Sequence, residues 1–164
     1  MIRFDNAAAF ETALRHLPPI DETARTEAAE RQSQLTKPAG SLGRLEEIAL
    51  FMAGWQGTAR PQAERIVAAV FAGNHGVARQ GVSAFPPEVT GQMVANFQAG
   101  GAAINALAGA CGANLRVVPL DLNRPTGDIT VEPAMDERDC LAALNAGAAV
   151  IDPDAHLVFV GEMG

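Results

Sequence analysis

Arg65-Ile66-Val67-Ala68-Ala69-Val70-Phe71-Ala72-Gly73 is a short, unbroken apolar run that empties into Asn74-His75-Gly76-Val77. Nothing in it alternates between polar and apolar residues. A strand written this way is one covered on both faces, as in a parallel sheet wrapped by helices. Downstream, Pro86-Pro87-Glu88 opens a long helix predicted from about Glu88 to Gly109, a composition suited to a first helical turn. Leu115-Arg116-Val117-Val118-Pro119-Leu120 reads as the next strand. A loop containing Pro125 and Gly127 leads to a helix from about Asp136 to Gly147, and Leu157 to Val160 forms a third strand. Strand, helix, strand, helix, strand is the grammar of right-handed crossovers building a parallel sheet.

Upstream the grammar is helical. Asp5 is placed to cap a helix to about Leu17, stopped by Pro18-Pro19, and Asp21 heads a second helix to about Gln34. After a turn-rich stretch, Leu42, Leu45, Ile48, Ala49 and Met52 recur at helical spacing in a third helix that ends near Gly54 to Gly57. The expected fold class is therefore α/β: a Rossmann-like parallel sheet with crossover helices, preceded by an N-terminal helical segment. The expected division places residues 1–60 in a small helical part and 61–164 in an incomplete α/β domain.

Composition narrows the function classes. The 164 residues are enough for one ordinary domain, and a hydrophobic content of 48% speaks against disorder. A net charge of −7 with only 12 Lys and Arg argues against a nucleic-acid partner, because displacing phosphate counterions takes clustered cations. An anionic small molecule stays open, since backbone amides and helix N-termini bind phosphate without net positive charge. Cys111 and Cys140 form no metal-ligand spacing and read as reduced, buried thiols. The densest apolar stretch, Ile48 to Trp55, is far short of the roughly 20 residues that span a bilayer. A soluble cytoplasmic protein with no membrane partner, no metal and no cofactor is expected.

Four segments carry candidate chemistry. His75 directly follows the first strand, where ligands sit in open α/β sheets; it is either a ligand contact titrating near neutrality or a loop histidine bonded to neighbouring backbone. Ser83, Phe85 and Gln92 are able to wall and edge-bind a flat ligand, though a Phe85 that simply packs on the helix it precedes is the simpler reading. Gly100-Gly101 costs helix stability on the order of 1 kcal/mol per glycine, which close packing would offset. Lys37-Pro38-Ala39-Gly40-Ser41-Leu42-Gly43 lacks the order and spacing of a phosphate loop and reads as a structural turn.

Gly161-Glu162-Met163-Gly164 is the sharpest of the motifs. A carboxylate at a strand end is able to take a proton or bind ribose hydroxyls, and the flanking glycines admit a ligand to the backbone. No helix follows it. The chain thus reads as the front part of a larger enzyme, cut at its binding site.

Taken together, the chain resembles the nicotinate-nucleotide–dimethylbenzimidazole phosphoribosyltransferases. The matching pieces are Leu35 to Glu46, Ala72-Gly73-Asn74-His75-Gly76-Val77, Gly81-Val82-Ser83-Ala84-Phe85-Pro86 with Val89-Thr90 and Gln92-Met93-Val94, Gly100 to Asn105, Pro133-Ala134-Met135 and Gly161-Glu162-Met163-Gly164. They are collinear over about 130 residues. The resemblance implies transfer of a phosphoribosyl group from nicotinate mononucleotide to 5,6-dimethylbenzimidazole, giving α-ribazole 5′-phosphate and nicotinate for the lower ligand of cobalamin. It implies a homodimer, with Glu162 catalytic and His75, Ser83, Phe85, Gln92, Met93 and Gly164 binding substrate. It also implies that further strands and a second, principal catalytic carboxylate lie beyond the present sequence. The alternative is a non-catalytic fragment, or a binding or assembly module that keeps only the aromatic-base slot. The family often carries Asp where this chain has Asn74, and Asp-x-Gly where it has Asp121-Leu122-Asn123.

Overall fold

The computed structural model describes residues 2–164. They divide into two compact units, residues 2–14 with 65–164, and residues 15–64.

In the larger unit, β1 (Ile66–Ala72), β2 (Asn114–Pro119) and β3 (Leu157–Met163) form a parallel sheet in the order β2-β1-β3. The apolar run that decides the fold is the central strand. Val67, Ala68, Ala69, Val70 and Ala72 of β1 are all buried, as expected of a strand with a neighbour on each side and covered faces. Val70 pairs with Val117 on one side and Gly161 on the other.

Two helices, α4 (Glu88–Gln98) and α5 (Ala103–Cys111), link β1 to β2, and α6 (Glu137–Ala149) links β2 to β3. Val94, Phe97 and Ala108 are their buried apolar residues, and Thr90 of α4 is buried as well. The single long helix expected from Glu88 to Gly109 is therefore two. Gly100 takes φ +81°, a left-handed conformation that no helix continues through and that glycine adopts without steric cost. Asn105 then caps the restart: its Oδ1 accepts the Ala102 N–H at 3.1 Å while its Nδ2 donates to the Phe97 carbonyl at 2.9 Å. Gly100 serves a turn and packs on nothing, whereas Gly101 does show close packing, against the Asn96 side chain of the preceding helix.

The division between the units falls at 64/65, near the expected boundary, but the N-terminal residues 2–14 group with the sheet and not with the helical part. The first helix, α1 (Ala7–Arg15), follows a segment that belongs with the sheet. The Phe4 N–H donates to Asn145 Oδ1 at 2.7 Å, and Asn145 Nδ2 returns a bond to the Phe4 carbonyl at 2.8 Å. Asn6, not Asp5, supplies the cap of α1, its Oδ1 accepting the Ala9 N–H at 2.8 Å. The cysteines depart from expectation as well. Both are exposed, because Cys111 closes α5 at its solvent end and Cys140 lies on a helix with no buried residue.

The smaller unit packs α2 (Glu22–Gln34) on α3 (Arg44–Gln56). The contact is made by small residues: Ala24, Ala28 and Ala53 are buried, and Ile20 lies over Gly54 so closely that a Cβ there would meet its side chain at 2.6 Å. Asp21 caps α2, its Oδ1 accepting the Ala24 N–H at 2.9 Å. Asp21→Ala is expected to destabilise the protein by about 1 kcal/mol, read from the urea midpoint.

Lys37 explains the turn before α3. Its Nζ lies 2.6 Å from Glu46 Oε1, which also accepts the Leu42 N–H at 3.2 Å. The Lys37 hydrogen bond first, and the Leu42 amide second, hold the Glu46 carboxyl below its ordinary range. A carboxyl depressed by folding stabilises fully above its unfolded value, and that contribution is lost as pH falls through the folded value. Glu46→Gln is thus expected to lower the urea midpoint near neutrality and to leave it unchanged in strong acid.

Candidate functional site

The order β2-β1-β3 sends the chain from β1 to one side and then back across to the other. The crevice at the carboxyl ends of β1 and β3 is the point where such a sheet binds its ligands. β1 and β3 run in register to their tips, Phe71 opposite Glu162 and Ala72 opposite Met163, and the Gly73 N–H donates to the Met163 carbonyl at 3.0 Å. Glu162 therefore belongs to the strand itself, where a glycine turn was expected. Pairing with β1 extends β3 by three residues beyond its apolar run.

That register brings two candidate residues together. His75 Nε2 lies 3.1 Å from Glu162 Oε1, with the side chains 40% and 66% exposed. An ionised carboxylate only accepts, so a neutral His75 donates here from Nε2. The exposure leaves Nδ1 and the second Glu162 oxygen open to a ligand.

The backbone after β1 is strapped to the loop after β2. Leu120 N–H donates to the Ala72 carbonyl at 2.8 Å and Thr126 N–H to the Asn74 carbonyl at 3.0 Å. His75 and Thr126 form an isolated parallel bridge. Gly76, buried, opens a short 3-10 helix (Gly76–Gln80). It meets this loop so closely that a Cβ would lie 2.5 Å from the Thr126 carbonyl oxygen and 2.7 Å from the Asp128 nitrogen.

Between this loop and α6 opens a cleft of about 790 Å³, with His75, Asp121, Arg124, Asp128 and Asp139 on its walls. His75 and Asp121 thus share one cleft, and Glu162 reaches it through His75. Asp121 takes φ +31°, uncommon for a residue with a side chain and best tolerated by Asp and Asn. Arg124 is bonded twice to Asp139, at 2.8 and 3.3 Å, and lies 3.4 Å from Asp121. The Asp139 contact, more than Asp121, raises the Arg124 pKa. Asp128 is held below the ordinary carboxyl range by the Gln80 amide first and Thr130 second. No signal in the sequence points to Gln80, Arg124, Asp128 or Asp139. They meet across intervals of 15 and 48 residues, which no local motif encodes.

The remaining candidates lie off this cleft. Phe85 is 68% exposed, so it does not pack on the following helix as the simpler reading held; Ser83 Oγ accepts the Phe85 N–H at 3.3 Å within the loop. Gln92 is exposed and Met93 half-buried, both on α4. Gly164 lies against Gly73 at the end of β3. Among the described residues, no group of three or more His, Cys, Asp or Glu is placed to hold a metal ion, and no helix is long and apolar enough to cross a membrane.

The family model described as phosphoribosyltransferase matches residues 17–164. A nicotinate-nucleotide–dimethylbenzimidazole phosphoribosyltransferase of Novosphingobium aromaticivorans is 66% identical over 164 residues, covering 100% of this chain and 48% of the relative. One from Rhodobacter capsulatus is 53% identical over 164 residues, again the whole of this chain, and 49% of its own length. The crystal structure of the same-named Thermus thermophilus enzyme superposes with a TM-score of 0.77 at 37% identity, over 88% of this chain and 50% of that one. The chain spans about half the length of the relatives it matches.

Proposed function

Because the chain belongs to the phosphoribosyltransferase family, we propose that it carries the His75–Glu162 part of a site that moves a phosphoribosyl group from nicotinate mononucleotide to 5,6-dimethylbenzimidazole. The observation that supports this most is the 3.1 Å contact between His75 and Glu162 at the β1/β3 crevice, beside a cleft large enough for a small ligand. An unprotonated azole nitrogen attacks C1′ as the C1′–pyridine nitrogen bond breaks. The electron pair returns to the pyridine ring, nicotinate leaves, and C1′ inverts to the α-ribazole 5′-phosphate configuration.

A quaternary pyridinium is already a good leaving group. The protein's work is then to orient two reactants and remove one proton from the azole. In this reading Glu162 accepts that proton or orders the ribose, and His75 holds it in place. Ser83, Phe85, Gln92 and Met93 line the benzimidazole slot, with Gly164 against the ribose. The resemblance carried by the sequence motifs adds a homodimer in the cytoplasm, and light scattering at the mass of two chains checks the first.

Two measurements on the chain test the proposal. Incubation with both substrates, followed by chromatography for α-ribazole 5′-phosphate, reads the transfer. Calorimetry reads binding: dimethylbenzimidazole and nicotinate mononucleotide are both expected to bind, and Glu162→Gln to weaken the nucleotide. Binding of the base alone would replace the proposal with a module that keeps only the aromatic slot. Binding of neither would end both readings.

A further inference from the structure

The smaller unit has a pocket of its own. It measures about 340 Å³ and opens between α2, α3 and the segment after α3, with Arg31, Gln32, Leu35, Ala49, Arg60 and Pro61 on its walls. The wall that follows α3 is anchored at both ends. Gly57 takes φ +63° and turns the chain back, and the Thr58 N–H donates to the Ala53 carbonyl at 3.1 Å. The Gln56 side chain then holds the Gln62 backbone twice, its Nε2 donating to the carbonyl and its Oε1 accepting the N–H, both at 2.8 Å. Residues 59–61 are fixed between those anchors.

Two features of the lining call for a ligand. Among the described residues, Gln32 Oε1 is the one buried side-chain oxygen or nitrogen without a hydrogen-bond partner. Leaving such an atom unmet is unfavourable, and the terminal torsion of a glutamine is soft enough to turn it into adjoining space. Arg31 and Arg60 are exposed at the walls, and neither pairs with a carboxylate among the described residues. No Asp or Glu of those residues lines the pocket. Arg31 belongs to the last turn of α2, where the helix carbonyls carry about half a negative charge. Two guanidiniums outweigh it, so the pocket is positive.

We propose that this pocket binds a hydroxylated phosphate monoester, a sugar phosphate being the simplest. The guanidiniums of Arg31 and Arg60 take the phosphate, Gln32 takes a hydroxyl, and Leu35, Ala49 and Pro61 pack on the carbon skeleton. A guanidinium meets phosphate oxygens with paired N–H donors, and a hydroxyl supplies the donor that Gln32 Oε1 lacks. The volume lies at the lower end of small-molecule sites. Every residue of the pocket falls within 15–64, so the proposal stands apart from the phosphoribosyl-transfer reading.

The experiment titrates the ¹⁵N-labelled full chain with ribose 5-phosphate, inorganic phosphate and ribose, following the amide signals of residues 28–35 and 58–62. Ribose 5-phosphate is expected to move those signals with roughly tenfold tighter binding than either of its parts, and to do so equally in Glu162→Gln. Arg31→Gln and Arg60→Gln should each weaken it about tenfold, the loss of one charge-assisted hydrogen bond. Gln32→Leu keeps the bulk of the side chain and should weaken ribose 5-phosphate while leaving inorganic phosphate unchanged. No movement at those amides, or movement that disappears in Glu162→Gln, overturns the proposal; the second result assigns the probe to the β1/β3 crevice. Equal affinity for inorganic phosphate and ribose 5-phosphate overturns it too, leaving two surface arginines that attract any anion. If Gln32→Leu does not fold, Arg60→Gln, a change on an exposed side chain, decides the matter, and unchanged affinity there sinks the site. Failure of nicotinate mononucleotide to bind would end the transfer reading and leave this site standing.

Discussion

Gly76→Ala is expected to destabilise the larger unit by roughly 3 kcal/mol, at the upper end of the usual cost of overpacking. The added Cβ would lie 2.5 Å from the Thr126 carbonyl oxygen, 2.7 Å from the Asp128 nitrogen and 2.7 Å from the Gly127 carbonyl carbon. All three are backbone atoms. None is able to swing away as the end of a side chain does, so the loop must lift from the β1 tip and release the bridge at His75. Gly91→Ala is the matched control. Gly91 lies inside α4 with open space where its Cβ would stand, so alanine there is expected to stabilise by roughly 0.5–1 kcal/mol. Urea unfolding of the two variants should move in opposite directions. Equal midpoints would mean that the loop does not lie on Gly76.

The second large effect is on chemistry. In an assembly that turns over nicotinate mononucleotide, Glu162→Gln is expected to lower kcat on the order of 10²-fold, the lower end of what a positioned acid or base contributes. KM for dimethylbenzimidazole should change little. The substitution keeps the shape of the side chain and an acceptor for His75 Nε2, so it separates proton acceptance from orientation. His75→Gln tests the orienting half, and its loss should be the smaller of the two. A Glu162→Gln enzyme with the parent's kcat would remove Glu162 from the chemistry and leave it a structural partner of His75.

Much of the architecture was legible along the chain because its signals are local. An apolar run of seven to nine residues without alternation can only be satisfied by cover on both faces, and Ile66–Ala72 is the central strand. Asp21 and Asp136 each announced a helix start, and each accepts a backbone N–H from the first turn. Helix interruption was harder to read. Gly100-Gly101 is compatible with a tolerated weak spot or with a break, and the choice rests on whether Asn105 finds the Phe97 carbonyl.

The site divides along the same line. Residue chemistry and position at strand ends singled out His75 and Glu162 from their own neighbourhoods. Their contact follows from parallel register between β1 and β3, 87 positions apart, and register is set by pairing across the whole sheet. The loop residues Gln80, Arg124, Asp128 and Asp139 belong wholly to tertiary structure. A guanidinium or an amide has no preferred sequence partner. It bonds whatever carboxylate or carbonyl the fold brings within reach, and only the folded chain selects which one that is.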